Sequence, residues 1–173
     1  YGGGLNLIEE TQEGDIRFLH SGNKLTGYSK DRFAKVRYIA EANQVLLVGT
    51  TEGLLTFSSE FTQPEQIEFY RNIRIPDKVS SLCSNDVIYI YTDSRKDTYV
   101  LSFTGGLNKI LSENLLSNEI EFKTYTTQNG LPSDLVESMI EDNKGNLWII
   151  AENALACFHP DKETFEHYDK KYL

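Results

Sequence analysis

The sequence is short of the residues that would staple, ligate or catalyse. It has two cysteines, one methionine, one tryptophan, three histidines and four prolines in 173 residues. Cys83 and Cys157 fall in different repeats and at different places within them, so no disulfide framework is expected. Both are read as unpaired thiols, Cys157 packing as a small hydrophobe. His20, His159 and His167 show no compact zinc spacing, and no cysteine pair supports them. There is no Gly-x-Ser-x-Gly elbow, no phosphate-binding glycine loop and no His-Glu-x-x-His. The segment 142–146, DNKGN, lacks the alternating carboxylates of a calcium loop and reads as a hairpin turn. Adjacent acids such as Glu9–Glu10 and Glu141–Asp142 point to opposite faces of a strand and make no dyad. No catalytic, cofactor-binding or metal-binding residue is therefore expected.

Positive charge is also scarce. Against 26 acidic residues stand 17 basic ones, a net charge of −9, with no Lys/Arg cluster. Phosphate neutralisation needs a basic stripe, so nucleic acid is not expected as a partner, nor an anionic membrane surface. No apolar run approaches the roughly 20 residues that span a bilayer. The longest candidate, NLWIIAENALACF, is broken by Glu152 and Asn153. YGGGLNLI, on which the chain opens, reads as mid-pattern rather than as a secretory leader, and the chain is expected to be a piece of a longer protein.

What the sequence does have is a repeat. Leu155, Leu107, Leu54 and Leu5 are equivalent points in one pattern, spaced by 48, 53 and 49 residues. Ahead of each complete copy an acid precedes a mid-strand position by six: Asp142 to Trp148, Asp93 to Tyr99, Glu41 to Leu47. A period near 50 residues built of short strands indicates a β-propeller blade. The inner strands are read at 35–40, 87–92 and 135–141, and the second strands at 45–50, 98–103 and 147–151. Third strands follow at 54–58, 107–111 and 155–159, and outer strands at 67–70, 120–125 and 164–168. The expected fold is all-β: about three and a half four-stranded blades, an open arc of a larger, seven-bladed propeller. A half blade covers 1–20, with blades at about 33–70, 86–125 and 135–168. The stretch LNKILSENLLSNEI has some helical spacing but is read as a strand followed by a long loop. Trp148 and Tyr99 fall where the pattern places side chains between blades, so both are expected in the core rather than as sugar platforms.

The order SLCSNDVIYIYTD, YVLSFTGGLNKI, NGLPSDLVESMIEDNKGNLWIIAENALACFHPDKETFEHY resembles the two-component-regulator propeller repeat. Gly130, Leu131, Pro132, Ser133, Val136, Asp142, Gly145, Leu147, Trp148, Leu155, Phe158, Pro160, Phe165 and Tyr168 match its pattern. Departures are Ile150–Ala151 in place of Gly-Thr, Ala154 in place of the turn glycine, and Leu47 in place of the aromatic. The resemblance implies the periplasmic sensor region of a bacterial hybrid histidine kinase/response regulator. It further implies a homodimer that detects carbohydrate fragments and switches on glycan-utilisation genes, with kinase activity elsewhere in the full-length protein. By analogy with other propellers, a ligand face would use Asn129, Asp134, Glu152 and Asn153, whose groups suit sugar hydroxyls. An oligosaccharide is thus the expected ligand, and further blades and domains of the same protein the expected partners. Two other readings stay open: a propeller polysaccharide lyase or glycosidase, for which Arg37 and Glu137 are the only charged inner-strand candidates, and an interaction scaffold without a small ligand.

Overall fold

Among the described residues, short runs of β-branched and aromatic residues between polar turns fold into fourteen strands. The computed structural model describes residues 3–169, so Tyr1, Gly2 and the tail after Asp169, parts of which the half blade and the repeat alignment had included, lie outside the described residues. A half-blade pairs β1 (Leu7–Glu10) with β2 (Ile16–Leu19). Blade I holds β3 (Val36–Ala42), β4 (Val45–Thr50), β5 (Gly53–Ser58) and β6 (Tyr70–Asn72). Blade II holds β7 (Val87–Thr92), β8 (Thr98–Ser102), β9 (Gly106–Ile110) and β10 (Phe122–Tyr125). Blade III holds β11 (Val136–Glu141), β12 (Leu147–Ala151), β13 (Ala154–His159) and β14 (Thr164–Asp169). Each four-stranded sheet runs up and down, antiparallel, in chain order. The all-β propeller architecture expected from the repeat is the architecture of the molecule.

The repeated acid has a local structural job. Asp142 Oδ1 accepts from the backbone N–H groups of Lys144 and Asn146, both at 2.9 Å. Asp93 Oδ1 does the same for Arg95 at 3.0 Å and Asp97 at 2.9 Å. A carboxylate holding its own turn in this way starts the hairpin, and Gly145 supplies its left-handed residue at φ 80°. Blade I replaces the device with Asn43 and Gln44, both left-handed (φ 51° and 61°), in a two-residue hairpin.

Side chains alternate across each sheet, so every complete interface has its own core. Leu47 and Leu54 of blade I meet Val100, Ile110 and Phe122 of blade II. Tyr99, Leu101, Leu107 and Tyr125 on the other side of blade II meet Leu147, Ile149, Ala156 and Phe158 of blade III. A third core joins the half-blade to blade I through Leu5, Leu25, Val48 and Phe57.

Two expectations need correction. The outer strand of blade I is Tyr70–Asn72, not 67–70, and it is Asn72 that lies opposite Leu54. The reason is a pair of bonds to blade II. Asn72 donates through Nδ2 to the Ser117 carbonyl (2.8 Å) and accepts from the Ile120 N–H (2.9 Å). Ile67 meanwhile turns inward after a short 3₁₀ turn at Pro64–Gln66. The second correction concerns Trp148. It is half-buried rather than core, because it faces away from blade II and no further blade covers it among the described residues. The 111–121 segment is a loop, as read, and it lies against blade I: Thr56 Oγ1 donates to the Leu115 carbonyl at 2.5 Å.

Candidate functional site

All three inner strands begin with the same irregularity. The ladder slips between Val36 and Tyr38, between Val87 and Tyr89, and between Val136 and Ser138. Each slip is a β-bulge that re-aims one residue: Arg37, Ile88 and Glu137. Arg37 donates from Nε to Asp86 Oδ1 at 3.0 Å and from Nη2 to Oδ2 at 2.9 Å, a bidentate bond from blade I to blade II. Ile88 packs against the core between blades II and III. Glu137 is exposed and makes no hydrogen bond or ion pair among the described residues. So the two charged inner-strand residues singled out from the sequence occupy the same structural position on blades I and III.

Beside the bulges lies an aromatic pair. The Tyr38 and Tyr89 rings are 4.5 Å apart at 43°. Burial, then the neighbouring Tyr38 hydroxyl, pushes the Tyr89 phenol above its ordinary range. Further down the strand, Tyr91 accepts at its hydroxyl from the Glu141 N–H at 3.1 Å, tying blade II to blade III. The tyrosine pair sits one residue from the Arg37–Asp86 bond, at the end of the blades where the inner strands start.

The four residues expected on the ligand face belong to this same end. The exit of each second strand bonds to the entrance of its inner strand: Thr51 N–H to Lys35 O, Phe103 N–H to Asp86 O and Glu152 N–H to Leu135 O. The Glu152–Asn153 turn therefore lies beside Leu135, one residue after Asp134. Asn129 and Asp134, however, already hold their own loop. Asn129 Oδ1 accepts from the Thr126 N–H at 2.9 Å, and Asp134 Oδ1 from the Thr127 N–H at 2.7 Å. Both side chains thus build the 3₁₀ turn at Thr127–Asn129. Asn153 is the left-handed residue of its turn, at φ 58°, and Glu152 is exposed with no side-chain partner among the described residues.

Concave surface lies elsewhere. A cleft of about 210 Å³ opens at the opposite end of blade I, walled by Ser58, Phe61, Gln66, Glu68, Tyr70 and Leu116. Another, of about 320 Å³, lies under the 74–83 loop on the outer edge of blade II, where the Phe122 N–H bonds to the Ser80 carbonyl. The signal for the first was in the sequence: the connections at 59–69 and 111–121 are far longer than the 160–163 turn of blade III. Repeat alignment treats such insertions as noise, so it does not mark them as a site. Among the described residues no group of three His, Cys, Asp or Glu side chains is placed to hold a metal ion.

The 130–153 segment spans the end of this loop, the bulged strand β11, the Asp142 turn and β12. It matches the family model described as two component regulator propeller. No curated protein matches the chain. Among solved structures, the chain is similar to the extracellular domain assigned to the hybrid two component system BT4673 of B. thetaiotaomicron. The TM-score is 0.67 at 19% identity, over 98% of this chain and 22% of that one. The corresponding domain of BT3049 from the same organism gives 0.62 at 16% identity, over 95% of this chain and 23% of that one. Virginiamycin B lyase from Staphylococcus aureus, crystallised with quinupristin as an inactive H270A variant, gives 0.57 at 13% identity, over 95% and 48%. At these identities the likeness is one of fold, and the chain spans about a fifth of the length of the first two. No helix among the described residues is long and apolar enough to cross a membrane, which says nothing of strands.

Proposed function

We propose that this regulator propeller is part of the non-catalytic, extracytoplasmic sensor region of a hybrid two-component signalling protein. The observation that carries the reading is the regulator propeller repeat at 130–153, supported by the fold shared with two hybrid-system extracellular domains. On this reading the chain works in the periplasm of a homodimeric, membrane-anchored protein, next to further blades of the same polypeptide. The ligand class is a carbohydrate fragment, and the output is control of glycan-utilisation genes. The end of the blades carrying Tyr38, Tyr89, Glu152 and Asn153 is the ligand face, with Asn129 and Asp134 shaping its loop. A ligand there acts only through different affinities for two arrangements of the protomers.

Isothermal calorimetry of the intact extracellular region against a panel of defined oligosaccharides tests this. A saturable heat with one glycan class, weakened by Tyr89→Ala and Glu152→Ala, supports the reading. Release of cleaved or unsaturated products from the same panel would transfer the protein to the lyase or glycosidase class. The fold accommodates that alternative, since virginiamycin B lyase shares it.

A further inference from the structure

Blades II and III can be compared position by position, because their ladders share one register. Tyr99 lies opposite Tyr91 and Trp148 opposite Ile140; Leu101 lies opposite Leu107 and Ile150 opposite Leu155. Tyr125 of blade II and Tyr168 of blade III both pair with those leucines. On blade II, covered by blade III, Tyr99, Leu101 and Leu107 are each 0% exposed. On blade III, Ile140 is 64% exposed and Ile150 48%. Trp148, Leu155 and Tyr168 are only half-buried. The outer face of blade III is therefore the same surface as an interface already formed one blade earlier.

The bulges add a charge rule to that surface. On blade I the bulged side chain reaches the following blade, where the residue just before the next inner strand receives it. Arg37 is received by Asp86, and Ile88, an apolar bulge, is followed by Leu135 at the receiving position. Charged meets opposite charge, and apolar follows apolar. Glu137 is the next bulge in the series, and the residue that would receive it is not among those described.

Resting on the reading that this chain stands next to further blades of the same polypeptide, we propose that Glu137 selects, for the outer face of blade III, a blade with lysine or arginine immediately before its inner strand. The face continues an interface whose geometry is already present, and the carboxylate supplies the complementarity. A second copy of this chain fits less well. Lys35 holds its receiving position, but the half-blade already packs on that side of blade I through Leu5 and Leu7. Another copy's blade III reaches Lys35 only by displacing them.

The test extends the full chain at its C-terminus with a copy of its own residues 21–72, which brings blade I and its Lys35. Trp148 is the only tryptophan in the sequence and lies on the face in question, and the copy adds none. Docking moves tryptophan emission to the blue; unchanged emission overturns the docking surface. With the copied Lys35 changed to Glu, the melting temperature falls by roughly 2–4 °C, the shift expected of about one lost ion pair in a chain this size. Glu137→Lys reverses that preference, so that the Glu copy becomes the more stable. Equal melting of the Lys and Glu copies overturns the selection by Glu137. The internal pair tests the rule separately: Arg37→Asp with Asp86→Arg recovers most of the melting temperature lost by either single change, and no recovery overturns it. Dimerisation of the unextended chain, abolished by Glu137→Lys, assigns the face to a second copy and overturns the proposal.

Discussion

Blade II and blade III are nearly the same sentence written twice, yet their acid–aromatic pairs behave in opposite ways. In blade III, Trp148 donates from Nε1 to Asp142 Oδ2 at 2.9 Å, and that bond, with backbone N–H groups of the turn, holds the Asp142 carboxyl well below its usual range. In blade II, the Tyr99 hydroxyl and Asp93 Oδ2 are both buried without a hydrogen-bond partner among the described residues, with Arg95 Nη1 3.8 Å from Asp93 Oδ2. Burial drives the Asp93 carboxyl up, and burial followed by the nearby Asp93 charge drives the Tyr99 phenol up as well. Register is identical; covering is not. The neighbour, more than the position in the repeat, sets burial and hence charge state.

The largest break in this comparison should come from the leucines. Leu107→Ala is expected to destabilise the chain by about 2–5 kcal/mol, because its site is fully enclosed. At the equivalent but half-covered site, Leu155→Ala should cost roughly half as much or less. Denaturant melts of both variants measure the gap, and equal losses would mean that blade III is as well covered as blade II. Trp148→Ala should come next at about 1–2 kcal/mol, below the roughly 3–5 of an enclosed aromatic, since one side of the ring already faces solvent.

Acid should then separate the two aspartates. Asp142 titrates below its unfolded value, so it contributes stability above about pH 4 that is lost as the pH falls through its native pKa. Asp93 titrates above its unfolded value, so its ionisation opposes folding as the pH rises through its native pKa, and protonation relieves that burden in acid. Asp142→Asn should therefore lower the melting temperature at pH 7, and that effect should shrink steadily as the pH falls below about 4. Asp93→Asn, which keeps the Oδ1 bonds to its turn, should cost less at pH 7. Thermal melts across that pH range decide, and parallel curves for the two variants would contradict the assignment. The smallest effect belongs to Tyr99→Phe. It removes a hydroxyl with no hydrogen-bond partner among the described residues and should leave stability unchanged or raise it by up to about 1 kcal/mol.

Most of the strand map was legible in the chain, because period-2 patterns and turn chemistry are local. The inner strand at 87–92 and the second strands at 45–50 and 147–151 fall where the pattern puts them. The outer strand of blade I did not, since its register depends on Asn72 bonding to a loop 45 to 48 residues away. The ligand-face residues have chemistry that suits sugars, but Asn129 and Asp134 spend theirs on backbone N–H groups three and seven residues back. Nothing in their identity distinguishes a capping amide from a free one.

By itself the sequence determined the repeat, the four-strand unit, the acid-started hairpin and the all-β class, each a matter of neighbours along the chain. Tertiary structure alone decided which equivalent residue is buried, which bulge finds a counter-charge and where the clefts open. Those outcomes depend on the adjoining blade, and contact between sheets is invisible to a pattern read along one strand at a time. Trp148 shows the division most clearly: its place in the repeat was legible, and its surroundings were not.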